Sequence, residues 1–395
     1  MKLSLLDRAF YLLDGARSPQ DFTLILDLGD VPHVDRFYDG ARSAMNRYPA
    51  SACRIAKRAW RENRSFNFKI SDTESRLERF IDERFDVRCQ PPVKQLLVLN
   101  GSHARLATRF HHAAADGLSA ALWLGHQLNV AYDLEKPQLE RDLFNGLTLR
   151  KSAISVRRSQ FAFEGASDPL RASQSKRSGT RRWSTICFAS CELQKACRRA
   201  GGFTYHDLLA TCTLEVLRHW NNKKSKIGLW VPVNVRRVSG EGFGNGTSRI
   251  RVYANYDDVS LIEKCRAVRR QVAWTTKHGE WVVPENPWFT RLPDSIAGPL
   301  LRGYLQVPRV DMATAVFTHA GSWLANAGEA FKHVEGIECV GLLHPRQNLA
   351  INAATHAGHT SVTLTYDPAQ LTADDMNQLT QLYSKQIAQA RRELS

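Results

Sequence analysis

The stretch His111-His112-Ala113-Ala114-Ala115-Asp116-Gly117 decides how this 395-residue chain reads. It sets two histidines, a carboxylate and a glycine within seven residues. By composition, an HHxxxDG match over this length has odds of about one in a thousand, so the run is treated as a motif. Upstream, residues 93–99 and 104–110 alternate apolar and polar positions around Asn100-Gly101-Ser102, which predicts a β-hairpin. Downstream, Leu118, Ala121, Leu122, Leu124, Gly125 and Leu128 recur at helical spacing. The histidines therefore close a strand and Gly117 opens a helix, a junction at which a rigid scaffold can mount chemistry. Gly117 has no Cβ, so backbone and ligand can approach closely, and the amides of a helix start favour developing negative charge. A neutral imidazole near pH 7 can accept a proton from a hydroxyl or an amine. Asp116 is too short to reach an imidazole on the strand without a tight turn. It reads as a loop-locking carboxylate paired with a distant arginine. The plainer reading is one satisfied structural histidine, one exposed histidine and a helix-capping aspartate.

A second stretch runs from Leu229-Trp230-Val231-Pro232-Val233-Asn234-Val235-Arg236-Arg237 to Gly242-Phe243-Gly244-Asn245-Gly246. Alone it is a strand followed by a turn with an asparagine at a special backbone angle. Together the two stretches resemble the CoA-dependent acyltransferase superfamily. That group includes chloramphenicol acetyltransferase, condensation domains of nonribosomal peptide synthetases, plant BAHD acyltransferases, wax ester synthases and mycobacterial polyketide-associated acyltransferases. The resemblance implies an α/β fold of two chloramphenicol-acetyltransferase-like subdomains with the active-site tunnel between them. It implies that His112 is the general base, that His111 points off the reaction line and holds the loop, that Asp116 is structural, and that Gly117 lines the tunnel. The second stretch is similar to the family's strand ending in an arginine and the Phe-Gly-Asn turn that follows. Arg236 is then the candidate partner of Asp116, and Phe243, Gly244 and Asn245 belong to the turn or tunnel. The plainer reading of Arg236 and Arg237 is a pair of solvated strand-end arginines. Residues 3–10 resemble the opening segment of several branches, residues 202–207 the start of a family helix, and residues 314–321 the strand that crosses between the halves. The DFGWG signature of the plant enzymes is absent.

The resemblance further implies an acyl-CoA or phosphopantetheine thioester as co-substrate, with no tightly bound cofactor. The partners it implies are an acyl-CoA or an acidic acyl or peptidyl carrier protein, and a small-molecule alcohol or amine acceptor. Ester or amide formation in specialised metabolite or lipid biosynthesis is the expected activity, by a free-standing enzyme without adjacent carrier or adenylation modules. Two other classes stand beside it: a catalytically inactive condensation-like binding domain, and a basic nucleic-acid-binding protein. The intact His112 and Asp116 favour the enzyme over the first. The absence of any recognisable nucleic-acid module argues against the second.

Bulk properties bound these readings. A chain of this length supports two substantial cores. No apolar run of about 18 residues occurs, so no membrane span is expected. The amino-terminal sequence places a charge inside any would-be apolar core, unlike a signal peptide. Eight scattered cysteines, at positions 53, 89, 187, 191, 197, 212, 265 and 339, form no CxxC pair and fit a reduced, cytoplasmic protein. Neither a Walker A motif, a GxGxxG fingerprint nor a GxSxG elbow is present. His356-Ala357-Gly358-His359 is a poor metal site, because no carboxylate trio lies near, and no metal is expected. The net charge is +15. Nearly half of it falls between Arg150 and Arg182, where nine Lys and Arg face only Glu164 and Asp168. A phosphate-bearing partner or a solvated linker would each account for that excess. The expected organisation is an amino-terminal subdomain over 1–140, a basic linker over 141–182 and a carboxy-terminal subdomain over 183–395.

Overall fold

The computed structural model describes residues 2–29, 31, 33–63, 65–101, 103–134, 167–172, 177–221, 225–236, 243–254, 259–277, 288–307, 313–321, 329–344 and 346–395. The first half runs α1 (Leu5–Leu13), β1 (Asp21–Leu28), α2 (Val34–Arg47), β2 (Cys53–Ala56), β3 (Ala59–Glu62), β4 (Asn67–Ser71), α3 (Ser75–Asp82), β5 (Val93–Asn100), β6 (His103–His111) and α4 (Gly117–Ala131). The second runs β7 (Arg182–Ala189), α5 (Cys191–Ala200), α6 (Tyr205–Asn221), β8 (Gly228–Asn234), β9 (Thr247–Tyr253), α7 (Leu261–Lys277), α8 (Asp294–Tyr304), β10 (Ala315–Ala320), β11 (Val334–Val340), β12 (Leu349–His356), β13 (His359–Tyr366) and α9 (Ala373–Leu394). The fold is the expected pair of α/β lobes.

The first lobe is a sheet in the order β11-β1-β6-β5-β4, with α2 and α4 packed on it. The β5–β6 hairpin turns at Gly101, whose φ of +60° is the left-handed conformation that glycine adopts without a steric cost. In α4 the buried Ala120, Ala121, Trp123, Leu124 and Leu128 meet Phe37, Ala41 and Met45 of α2 in one core. The second lobe is a sheet in the order β7-β13-β12-β10-β8-β9. One face of that sheet is covered by α6, α7 and α9: Leu229 and Val231, Ile250 and Val252, Ala315 and Phe317 all point into this helical core. Side chains alternate across a strand, so Trp230, Arg249, Val316 and Ala354 project from the opposite face. Ala320 and Ala354 join the core of the first lobe, which identifies that face as the one turned toward it.

The strand that crosses between lobes is β11, not the segment over 314–321. The segment forms β10, inside the second sheet between β12 and β8. β11 instead pairs antiparallel with β1, and Val334 and Ile337 complete the first lobe's core. Its register slips opposite Asp27 and Leu28, and its buried residues Val334, Ile337 and Val340 fall three apart. The two-residue period that marks a strand is therefore missing from this part of the sequence. The outer edge of β11 is closed by hydroxyls of β13: Ser361 donates to the Ile337 carbonyl, while Thr363 and Thr365 accept from the amides of Cys339 (3.2 Å) and Gly341 (3.0 Å). An edge covered in this way cannot recruit another strand.

A buried ion cluster adds a second tie. Asp21, at the start of β1, accepts from Arg109 of β6 and from Arg181, 2.7 Å away, just before β7; all three side chains are about 1% exposed. The two guanidiniums hold the Asp21 carboxyl far below the usual carboxylate range against the opposing effect of burial. Arg182 pairs with Asp82 and Glu78, and Arg177 donates to the carbonyls of Leu343 and His344. These three members of the basic stretch are spent inside the fold, not offered to a partner. Residues 141–166 of the expected linker lie outside the described residues. Asp21→Asn leaves two buried guanidiniums without their carboxylate, so it is expected to cost about 3–5 kcal/mol in urea unfolding, the usual cost of breaking a buried ion pair. A loss below about 1 kcal/mol would show that the cluster does not tie the lobes.

Candidate active site

The motif lies where the lobes meet. β6 ends at His111, one turn carries His112 to Ala115, and Asp116 caps α4 by accepting the Ser119 amide at 3.0 Å. Within the run, His111, Ala113, Ala114, Ala115 and Asp116 are buried, while His112 and Gly117 keep part of their surface open.

Asp116 is the organising group. Arg236, just after β8, donates to both its oxygens at 2.7 and 2.8 Å, and both side chains are about 1% exposed. The Gly246 amide (2.9 Å) and the Thr247 hydroxyl (2.8 Å) also donate to it. Burial alone would raise the Asp116 pKa; Arg236 and these donors bring it down to about 2. A bidentate pair fixes direction as well as distance, so the turn of one lobe is registered on the strand end of the other. Arg236 also donates to the Ser119 hydroxyl and to the Gly244 carbonyl, at 3.1 and 3.0 Å. Gly246 is required here by space: a Cβ would lie 2.5 Å from Cγ of Arg236. The Gly244 amide and carbonyl both bind the Ser119 hydroxyl, at 2.9 and 2.8 Å, and Phe243 stacks on Tyr48 at 5.4 Å.

Asn245 sets the state of His112. Its Nδ2 donates to the His112 carbonyl, which turns its Oδ1 toward the imidazole Nδ1 at 3.2 Å. An amide oxygen only accepts, so Nδ1 carries the proton and Nε2 carries the lone pair. Phe10 of α1 stacks on the ring, centroids 4.2 Å apart and planes within 11°, and Phe22 leans on it at 5.1 Å. Burial pushes the His112 pKa below the ordinary value, with Asp116 and Asn245 pulling partly in the other direction. His112 is therefore a neutral, oriented acceptor at pH 7. His111 faces away: it is fully buried, its Nδ1 accepts from the Ala113 amide at 3.1 Å, and its Nε2 faces Asp14 at 3.7 Å.

The sequence signals brought together here are His112, Asp116, Gly117, Arg236 and the Phe243–Asn245 turn. Sequence reasoning placed Asn245 in the turn but missed that its amide orients the imidazole. It also missed the rings of Phe10 and Phe22, which have no signal beyond ordinary apolar positions. His356 and His359 fall on the β12–β13 hairpin, where the His356 Nε2 lies 2.7 Å from the Val334 carbonyl.

No family model matches the chain and no curated protein matches it. Solved structures do. A trichothecene 15-O-acetyltransferase from Fusarium sporotrichioides is 12% identical with a TM-score of 0.68, over 98% of this chain and 94% of its own. The starter condensation domain of a rhizomide synthetase, solved with C8-CoA, is 10% identical with a TM-score of 0.67, over 100% and 94%. A cyclization-docking bidomain of a nonribosomal peptide synthetase from Sorangium cellulosum is 15% identical with a TM-score of 0.69, over 100% and 84%. The chain has the fold of the CoA-dependent acyltransferases and condensation domains. Among the described residues no helix is long and apolar enough to cross a membrane.

Asp116→Asn is expected to destabilise the protein by about 3–5 kcal/mol, because it leaves Arg236 buried without its charge partner. The native carboxylate is stabilised relative to the unfolded one, so its contribution is complete above about pH 4 and is lost as pH falls toward 2. Denaturant titrations should therefore show the gap between wild type and Asp116→Asn closing over that interval. A gap that stays constant from pH 7 to 2 would contradict the assignment.

Proposed function

We propose that this protein is an acyltransferase that moves an acyl group from a thioester, on CoA or on a carrier protein's phosphopantetheine, to an alcohol or amine. The observation that carries the reading is the oriented, neutral His112, with Nδ1–H held by Asn245 and Nε2 left as a base. In the proposed step Nε2 takes the proton of the acceptor O–H or N–H as that atom attacks the thioester carbonyl. A tetrahedral oxyanion forms, and the Gly117 amide at the α4 start is the donor best suited to meet it. Collapse breaks the C–S bond, and the imidazolium returns its proton to the leaving thiolate. The products are an ester or an amide and a free thiol. No acyl-enzyme is needed.

Asp116 does not touch the reacting atoms in this scheme. It positions the turn, and with it His112. The fold neighbours support the reading: one is named an acetyltransferase and one was solved with an acyl-CoA. The basic nucleic-acid reading loses ground, since Arg177, Arg181 and Arg182 of the basic stretch are committed to internal bonds.

The test is thiol release from a panel of acyl-CoAs and acyl-carrier proteins, with and without mixed alcohol and amine acceptors. Acceptor-dependent release is expected, and His112→Ala should lower its rate by about 10²–10⁴ with folding intact, as loss of a general base does. No release from any thioester would favour an inactive binding domain. Equal rates in wild type and His112→Ala would remove the imidazole from the mechanism.

A further inference from the structure

Trp230, Arg249 and His344 form a second cluster at the junction of the lobes. Trp230 and Arg249 project from the face of the second sheet turned toward the first lobe. The Arg249 guanidinium lies over the Trp230 ring, 3.6 Å from its centroid, a desolvating platform for a cation. The Trp230 ring is 3% exposed and meets the His344 ring edge-on at 5.3 Å. Arg177 donates to the His344 carbonyl at 2.8 Å and holds that residue in place.

The cluster is tied to the His112 turn. The His112 amide donates to the Gln20 carbonyl at 2.7 Å, Gln20 Nε2 donates to the Ser18 hydroxyl at 3.0 Å, and that hydroxyl donates to the carbonyl of Leu343, the residue before His344. His112 and Arg249 both act on His344 electrostatically and, after burial, help push its pKa well below the ordinary value.

Arg249 differs from the other arginines at the lobe junction. Arg109, Arg181 and Arg236 are each paired with a carboxylate. Among the described residues Arg249 has no hydrogen-bond acceptor and no carboxylate partner, and its side chain is open to water. The neighbouring Arg251 adds like charge and does not compensate that of Arg249. A guanidinium presents a planar fork of N–H donors that matches a carboxylate. The neutral imidazole of His344 can supply another donor beside it.

On the acyltransferase reading above, we propose that Arg249, on its Trp230 platform beside His344, anchors a carboxylate of the acceptor, so that the preferred acceptor is a hydroxy acid or an amino acid. The reacting part of the donor is an uncharged thioester, and the phosphates of CoA are separated from it by the full pantetheine arm. An anion bound next to the His112 turn is therefore closer to the acceptor's nucleophile than to those phosphates.

Two measurements test this. In the first, wild type and Arg249→Gln are titrated with benzoate and with benzyl alcohol, and Trp fluorescence is followed, with Trp230→Phe identifying the responding ring. Benzoate is expected to bind wild type more tightly than benzyl alcohol, and to lose at least tenfold in affinity in Arg249→Gln. Equal binding of the two probes, or an unchanged benzoate affinity in the variant, overturns the proposal. In the second, thiol release from acetyl-CoA and succinyl-CoA is measured with free amino and hydroxy acids and with their methyl esters. The free acids are expected to be preferred at least tenfold in kcat/KM, and Arg249→Gln should bring that ratio near one while Arg249→Lys retains part of it. A variant that raises only the KM for CoA, or removes only a preference for succinyl-CoA, assigns Arg249 to the donor and overturns the proposal. Benzoate binding through Arg249 without turnover of any thioester would contradict the acyltransferase reading and leave the carboxylate site standing. Turnover without acid preference would do the reverse.

Discussion

The Asp116–Arg236 pair is the constraint on which the rest of the site depends. It joins the cap of α4 in one lobe to the end of β8 in the other, and it is buried and bidentate. Removing two charges from water is costly, and the geometry must return that cost through well-made hydrogen bonds. Here the carboxylate receives five donors, from Ser119, both terminal nitrogens of Arg236, Gly246 and Thr247. Such a site tolerates little displacement. The Phe243–Asn245 turn is drawn in by the same arginine, and with it the asparagine that holds the imidazole. The pair thus helps fix the orientation of His112 without a hydrogen bond to its ring.

Three polar ties of two chemical kinds join the lobes. Asp116–Arg236 and the Asp21 cluster use buried charge, and β11 uses backbone pairing with hydroxyl-closed edges. An apolar seam lies beside them, where Ala320, Ala354, Val334 and Ile337 enter the first lobe's core, but polar and open side chains also face the junction. That is where His112, Arg249 and His344 are found. An apolar junction would have excluded water from the same space but would have left no route for an ionic or hydroxylated substrate.

Local pattern made much of this legible in the sequence. The hairpin around Gly101, the α4 stripe and the capped helices after Thr204 and Thr372 are written in turn residues, helical spacing and cap hydroxyls, and all are present. Arg236 was reachable only because a resemblance supplied its partner; spacing alone left it a solvated strand end. β11 was not legible because its buried positions run at three-residue intervals across a register slip, and its pairing with β1 joins residues about 300 apart in sequence. Cys191–Ala200 and Asp294–Tyr304, α5 and α8, carry short or interrupted stripes, with Pro299 inside the latter. The placements of Asn245, Arg249 and His344 come from which face of a sheet or turn they occupy in the assembled pair of lobes. No local pattern encodes that.

The pH dependence of kcat/KM for thioester turnover bears most directly on the claim that His112 is the base. A base must be deprotonated to act, and burial lowers the His112 pKa. The acid limb of the profile should therefore fall below the ordinary imidazole value of about 6.5. The residual rate of His112→Ala should lack that limb. A wild-type limb at or above 6.5, or the same limb in His112→Ala, would contradict the account.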